Sequence, residues 1–94
     1  MLTVTPAARE CLLSRLGRKK AADDVAMRFT RREGGWRLRL DRAAPDDTAF
    51  THEGRNVLLL DEAVSKAMAN LKLDVRATEA RPGLKLRRIR DSAD

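Results

Sequence analysis

The amino-acid sequence predicts an α+β fold in which two helices pack on a mainly antiparallel or mixed β-sheet. Apolar residues recur at three- and four-residue spacing in two segments, over residues 8–16 and 64–71, which is the period of an amphipathic helix. In most other segments apolar and polar residues alternate, as they do in strands with one buried face. Strand runs mixed with just two helices are typical of α+β proteins.

The 94 residues are enough for one domain. Hydrophobic residues make up 43% of the chain and charged residues 36%, a balance that supports a small core and argues against wholesale disorder. We expect a single domain over residues 1–90 and a frayed tail over residues 91–94.

A short β-prone segment, Leu2–Val4, precedes the first predicted helix. Thr5 is a good N-cap because its hydroxyl accepts a backbone N–H, and Pro6 suits the first helical position because no donor is needed there. Gly17 is expected to end the helix. The inward stripe of this helix consists of Ala8, Cys11, Leu12 and Leu16.

Two β-hairpins are predicted next. Over residues 25–41 apolar and polar side chains alternate on both sides of a glycine-rich turn at 33–35, so one face of this hairpin is buried and the other is wet. Residues 48–60 form the second hairpin, around a turn at 52–55. Because residues 57–60 are all apolar, their strand is expected to lie centrally and to be covered on both sides.

Asp61 is a candidate N-cap for the second helix. The inward stripe of that helix is predicted to consist of Val64, Ala67, Met68 and Leu71. Leu73–Ala77 then alternates as a strand, Arg81–Gly83 is a tight turn because proline presets φ and glycine allows positive φ, and Leu84–Leu86 closes the sheet.

Several short segments, taken in order, resemble the HesB/IscA-like A-type iron–sulfur carriers. The resemblance extends from Leu2 to about Arg88. It rests on Leu2–Ala8, Gly34–Gly35, Asp47–Phe50, Gly54–Leu59, Leu71–Val75 and Gly83–Leu86. It implies a HesB-like domain and a link to iron–sulfur cluster assembly.

The cluster ligands of that family have no counterparts in this sequence. Family carriers place a cysteine directly after the Gly-Gly pair and a Cys-Gly-Cys near the C-terminus; here Trp36 follows the glycines, and the only cysteine is Cys11, which matches no ligand position. Thiolates hold most iron–sulfur clusters, so we expect neither a metal site nor another cofactor. Phosphate-binding loops, dinucleotide fingerprints and nucleophile elbows are also missing, so we expect a non-catalytic protein with no catalytic residues.

A few residues nevertheless have chemistry that could serve a site. Cys11 is a possible reactive thiol, or a small apolar residue on the inward helix stripe. His52 is a possible base or ligand, or an exposed turn residue. The pairs Asp46–Asp47 and Asp61–Glu62 could bind a hard cation, or serve as loop and helix N-terminal charges.

Basic residues suggest an interaction surface. The formal net charge is +6 and the pI is near 10.4, which attracts polyanions and acidic proteins. Basic side chains alternate with core residues on several predicted strands, and if those strands share a sheet, one outer face is basic. The candidate surface consists of Trp36, Arg37, Arg39, Arg28, Arg76, Lys85 and Arg87, with Lys72 on the same pattern. A solvated charged face is the alternative, because Asp41, Asp74 and Glu79 interleave with these residues.

Two functions therefore stay open: a cluster-free accessory protein that binds a protein partner, and a nucleic-acid-binding module that uses the basic face. A homodimer is also possible. A lone cysteine is typical of a reducing compartment. The N-terminus does not have the pattern of a signal peptide, and the longest apolar run, residues 57–60, is far short of the ~20 residues of a membrane helix. We expect a cytoplasmic protein without a membrane partner.

Overall fold

The computed structural model describes residues 2–76 and 83–89. This part of the chain contains two helices and seven strands, which confirms the predicted α+β class. In chain order the elements are β1 (Thr3–Val4), α1 (Pro6–Arg18), β2 (Val25–Arg32), β3 (Gly35–Arg42), β4 (Thr48–His52), β5 (Arg55–Leu60), α2 (Glu62–Ala67), β6 (Leu71–Arg76) and β7 (Gly83–Arg88). Ala77, most of the predicted turn at Arg81–Gly83 and the predicted tail at 91–94 lie outside the described residues.

The described strands form two sheets. One has four strands in the order β3-β2-β5-β4, and the other has three in the order β1-β6-β7. The β2–β5 and β1–β6 pairs are parallel and the other pairs are antiparallel. The sequence-based expectation of one sheet is therefore corrected, because the β6–β7 hairpin adds to β1 at the N-terminus and does not extend the hairpin strands.

Helix α1 begins as predicted. The hydroxyl of Thr5 accepts a hydrogen bond from the backbone N–H of Ala8 at 3.1 Å, and Pro6 occupies the first turn. Arg15 and Arg18 lie in the last turn, where cations stabilise the negative end of a helix. The buried residues of α1 are the predicted stripe, Ala8, Cys11, Leu12 and Leu16.

Strand β5 carries the centre of the core. It lies between β2 and β4, and Val57, Leu58, Leu59 and Leu60 are all 0% exposed. Because neighbouring residues of a strand point to opposite faces, burial of all four shows that both faces of β5 are covered. Both helices contact β2 and β5.

Helix α2 is shorter than the sequence predicts. Asp61 caps it by accepting a hydrogen bond from the N–H of Val64 at 2.8 Å, and Val64 and Met68 are buried as expected. Ala67, however, is exposed, and Leu71 already belongs to β6. A turn in which the N–H of Leu71 donates to the carbonyl of Met68 at 2.9 Å ends the helix, so the apolar spacing continues beyond the helix that it predicted.

Among the described residues, no helix has both the length and the apolar character needed to cross a bilayer.

The burial of β5 leads to a stability prediction. Leu58→Ala should lower the free energy of unfolding by about 2–5 kcal/mol, because it removes buried methyl groups and leaves a cavity. Leu40→Ala is the matched control: Leu40 is 39% exposed, and its truncation should change stability by only about 0.5 kcal/mol. Urea unfolding measures both variants, and equal losses would contradict the assignment of β5 as the core strand.

Candidate functional site

The β2–β3 hairpin carries most of the predicted interaction residues. Arg28 lies directly opposite Arg39, and Thr30 lies opposite Arg37. Residues directly opposite in an antiparallel pair share one face of the sheet, so these four side chains are on the same side of the hairpin. We call this side the outer face. Trp36 pairs with Arg31 on the other side.

Arg28 does not belong to the free surface, which corrects the sequence-based set. Its Nε lies 2.9 Å from Oδ2 of Asp41, its Nη1 lies 2.8 Å from Oδ1 of Asp47, and Nη2 donates to the second Asp47 oxygen. The Arg28 side chain is 11% exposed and that of Asp47 is 3% exposed. Alternation along the strand predicted the face on which Arg28 lies, but the guanidinium of Arg28 is neutralised by Asp41 and Asp47.

This ion-pair network also explains the acidic pair Asp46–Asp47, which was a candidate cation site. The Arg28 hydrogen bond is the main reason why the pKa of Asp47 lies below its usual value, and the N–H of Ala44 acts in the same direction. The pKa of Asp41 is also lowered, first by the backbone N–H of Arg42 and then by Arg28. Asp47 thus links the loop before β4 to β2 through its ion pair with Arg28.

The other candidate ligands also have structural positions. Cys11 is buried on the inward side of α1, and Asp61 is occupied as the cap of α2. His52 ends β4, with its side chain 23% exposed and Nε2 3.8 Å from a carboxylate oxygen of Glu53. Within residues 2–76 and 83–89, no three His, Cys, Asp or Glu side chains are placed to hold a metal ion.

Four arginines cluster near the tip of the hairpin. They line a shallow groove of about 730 Å³ together with Thr30, Glu33 and Leu38. None of the four has an ion-pair partner in the described part of the chain. They are Arg31, Arg32, Arg37 and Arg39. Arg31 and Arg32 are absent from the sequence-based set, although their position just before the Glu33–Gly34 turn could have indicated them.

The remaining basic residues of the candidate set lie on the other sheet. Arg76 ends β6, while Lys85 and Arg87 belong to β7. Lys85 lies directly opposite Asp74, whose pKa is lowered mainly by the backbone N–H of Val75 and then by the hydroxyl of Thr5. The condition for one continuous basic face, that all these strands share a sheet, is not met by the described strands.

Trp36 packs against the core while staying partly exposed. Its ring meets that of Phe29 edge-to-face, with centroids 6.3 Å apart and planes at 72°. The guanidinium carbon of Arg31 lies 5.1 Å from the centroid of the indole ring, a distance at which a cation is attracted to the ring face.

A cleft of about 350 Å³ lies between the two sheets, beside Trp36. Six of its nine described lining residues are apolar, and the other three are cations. The lining residues are Arg15, Phe29, Trp36, Arg37, Leu38, Leu73, Leu84, Lys85 and Leu86. Of the predicted surface, the structure thus joins Trp36, Arg37 and Lys85 at one cleft and leaves Arg76 and Arg87 apart from it.

The fold of this chain matches solved structures. The chain superposes on SufA of Escherichia coli, a protein involved in the biosynthesis of iron–sulfur clusters, with a TM-score of 0.72 and 22% identity. The match covers 93% of this chain and 84% of the SufA chain. The chain has the HesB/IscA-like fold. A structure of IscA with the [2Fe-2S] cluster matches this fold over 94% of the chain and 85% of the other, with a TM-score of 0.60 and 19% identity.

By sequence alone the chain matches no protein-family model and no curated protein. The HesB/IscA-like fold predicted from short sequence segments is confirmed by the structural matches. The position after Gly34–Gly35 in this fold is occupied by Trp36, and the whole sequence contains one cysteine.

The Arg28 network predicts an acid-dependent loss of stability. Since the pKa of Asp47 is lower in the folded state, its stabilisation is present above the unfolded value of about 4 and is lost as the pH falls through the folded value. Asp47→Asn should lower the free energy of unfolding at neutral pH by about 1–3 kcal/mol and flatten its dependence on pH below about 4.

Asp24→Asn is the matched control, because the Asp24–Arg42 pair is exposed on both sides and exposed pairs contribute little. Urea titrations at several pH values measure both variants. An unchanged acid limb in Asp47→Asn would contradict the structural role of this carboxylate.

Proposed function

We propose that this protein is a non-catalytic accessory protein of iron–sulfur cluster assembly, which holds no cluster of its own and acts by binding a protein partner. The HesB/IscA-like fold supports the link to assembly. The proposed role includes a cytoplasmic location, a single domain over residues 1–90, and action as a monomer or homodimer. Enzymatic chemistry is not part of it.

The observation that carries this proposal is the environment of Trp36. In the carriers that this chain resembles, the residue after the glycine pair is a cysteine ligand. Here the indole packs against Phe29 and takes part in the surface of the core. A packed apolar ring offers no soft donor atom, and Cys11 lies buried in α1. One thiol leaves a cluster without the ligands it ordinarily takes.

Anaerobic reconstitution with iron and sulfide tests the absence of a cluster. The purified protein should show no stoichiometric visible absorption band, and iron per chain should stay well below one. IscA treated in parallel is the positive control, since its structure contains a [2Fe-2S] cluster. Cys11→Ala should give the same baseline as the unsubstituted protein, because the buried thiol is not a ligand. A fixed ratio of iron to chain would overturn the proposal.

We keep nucleic-acid binding as a second candidate function. The observation that favours it is the groove of four arginines at the tip of the β2–β3 hairpin, which have no carboxylate partner within the described ranges. Such a groove could follow a phosphate backbone. Stacking aromatics, which sheets that bind RNA generally display, are represented in the groove's vicinity only by Trp36, which is turned toward Phe29.

A salt titration tests this second function. Binding of single-stranded DNA or RNA should be tightest at low salt and weaken steadily as salt is added. The double variant Arg37→Glu, Arg39→Glu should abolish it. Arg18→Glu, Lys19→Glu is the matched control, because it changes the net charge equally at exposed positions at the end of α1. Absence of binding at low salt, measured by fluorescence anisotropy, would end this candidate.

A further inference from the structure

Strand β3 presents a free edge. It is eight residues long, it is terminal in its sheet, and within the described residues it pairs with β2 alone. The two-residue turn at Glu33–Gly34 is closed by the pair Arg32 and Gly35. Counting from that hydrogen-bonded pair, the peptide groups of Trp36, Leu38 and Leu40 point away from β2. Their donors and acceptors are available to another strand.

The two sides of this edge differ in chemistry. On the outer face β3 displays the exposed side chains of Arg37 and Arg39. On the opposite face it displays Trp36, Leu38 and Leu40. Leu40 is 39% exposed, while Trp36 and Leu38 pack partly against the core and line the cleft between the sheets.

A second copy of β3 is a poor occupant of this edge. If two copies paired in antiparallel fashion about Leu38, Arg37 of one chain would lie opposite Arg39 of the other. Like charges directly opposite each other in a sheet are destabilising. A single-stranded nucleic acid could use the arginines but would leave the peptide groups and the apolar side of the edge unused.

We propose that β3 pairs with an extended segment of a partner protein in which acidic and apolar residues alternate. The inference deepens the accessory role proposed above and rests on it. The acidic side chains of the segment lie beside Arg37 and Arg39, and its apolar side chains lie beside Trp36 and Leu38 and extend toward the cleft. Main-chain hydrogen bonds supply affinity and the alternating side chains supply specificity, as in strand addition generally.

The first test uses a peptide of alternating glutamate and valine with both termini capped, equal to β3 in length. The chain contains one tryptophan and no tyrosine, so intrinsic fluorescence reports on Trp36 at the proposed contact. We expect saturable binding with a shift in the emission of Trp36. A peptide of the same composition, with the glutamates and valines in separate blocks, should bind at least about tenfold more weakly, a difference of about 1.4 kcal/mol.

Charge reversal tests the outer face. Arg37→Glu, Arg39→Glu should weaken the glutamate–valine peptide at least about tenfold and should bind the corresponding lysine–valine peptide instead. Arg18→Glu, Lys19→Glu should keep the original preference, although its net charge changes by the same amount. If both double variants lose binding equally, the attraction is a general effect of net charge and the proposed pairing is wrong.

Backbone pairing is tested separately from charge. Leu40→Pro removes an outward N–H without altering an arginine, and it should weaken the peptide at least about tenfold, whereas Leu40→Ala should retain most of the affinity. Should Leu40→Pro fail to fold, as judged by circular dichroism, a glutamate–valine peptide with alternate N-methylated peptide bonds makes the same test on the unsubstituted protein. Unchanged affinity in the applicable test would overturn strand addition.

Oligothymidylate is included as the competing probe. Three results together would show that the surface binds nucleic acid and that the proposal is wrong. Oligothymidylate would displace the peptide, its own binding would be unchanged by Leu40→Pro, and the peptide with glutamates and valines in separate blocks would bind as well as the alternating one. Cluster reconstitution measures the proposed absence of a cluster independently, so failure of the docking proposal and failure of the proposed function give different results.

Discussion

The burial of β5 is the constraint on which the rest of the molecule depends. Its residues Val57–Leu60 are inaccessible on both faces, so the sheet must be covered from two sides, and both helices contact this strand and its neighbour β2. The β2–β3 hairpin is attached to β5 through the short parallel pairing of Met27 and Arg28 with Leu58 and Leu59. The hairpin therefore projects its tip and its outer strand while its base stays fixed in the core.

The arginines of this hairpin fall into two groups, those that form an ion pair with a carboxylate and those that do not. Arg28 lies close to the core and is held by Asp41 and Asp47, so its charge is used to secure the loop before β4. Arg37 and Arg39 lie on the edge strand, and no carboxylate of the described residues comes within ion-pair distance of either side chain. The same residue type thus stabilises the fold on β2 and leaves a local excess of positive charge on the edge strand β3.

Sequence patterning predicted the elements well because their signals are local. The cap at Thr5, the stripe on α1, both hairpins and the doubly buried β5 all follow from spacing within a few residues. The length of α2 was overestimated because Leu71 keeps helical spacing although it already lies in β6. The separation into two sheets could not be predicted, since it depends on which strands far apart in the sequence pair with each other.

For the interaction residues too, sequence patterns predicted local features but not contacts between residues far apart in the sequence. Alternation placed Arg37 and Arg39 correctly on the outer face. It could not show that Asp47, nineteen residues beyond Arg28, neutralises that arginine, nor that Lys85 joins Arg37 at a cleft between sheets. These relations arise from tertiary proximity. The fold assignment itself came from the order of weak segments, none of which is specific alone.

The parallel pairing of β1 with β6, two strands far apart in the sequence, constrains how the protein folds. Thr3 and Val4 pair with Lys72 and Leu73, and the N–H of Thr5 donates to the carbonyl of Leu73 at 3.1 Å. Such non-local contacts form late and slow folding. During synthesis Leu2 and Val4 therefore stay unburied until β6 has been made, so the sheet of β1, β6 and β7 is completed late in folding.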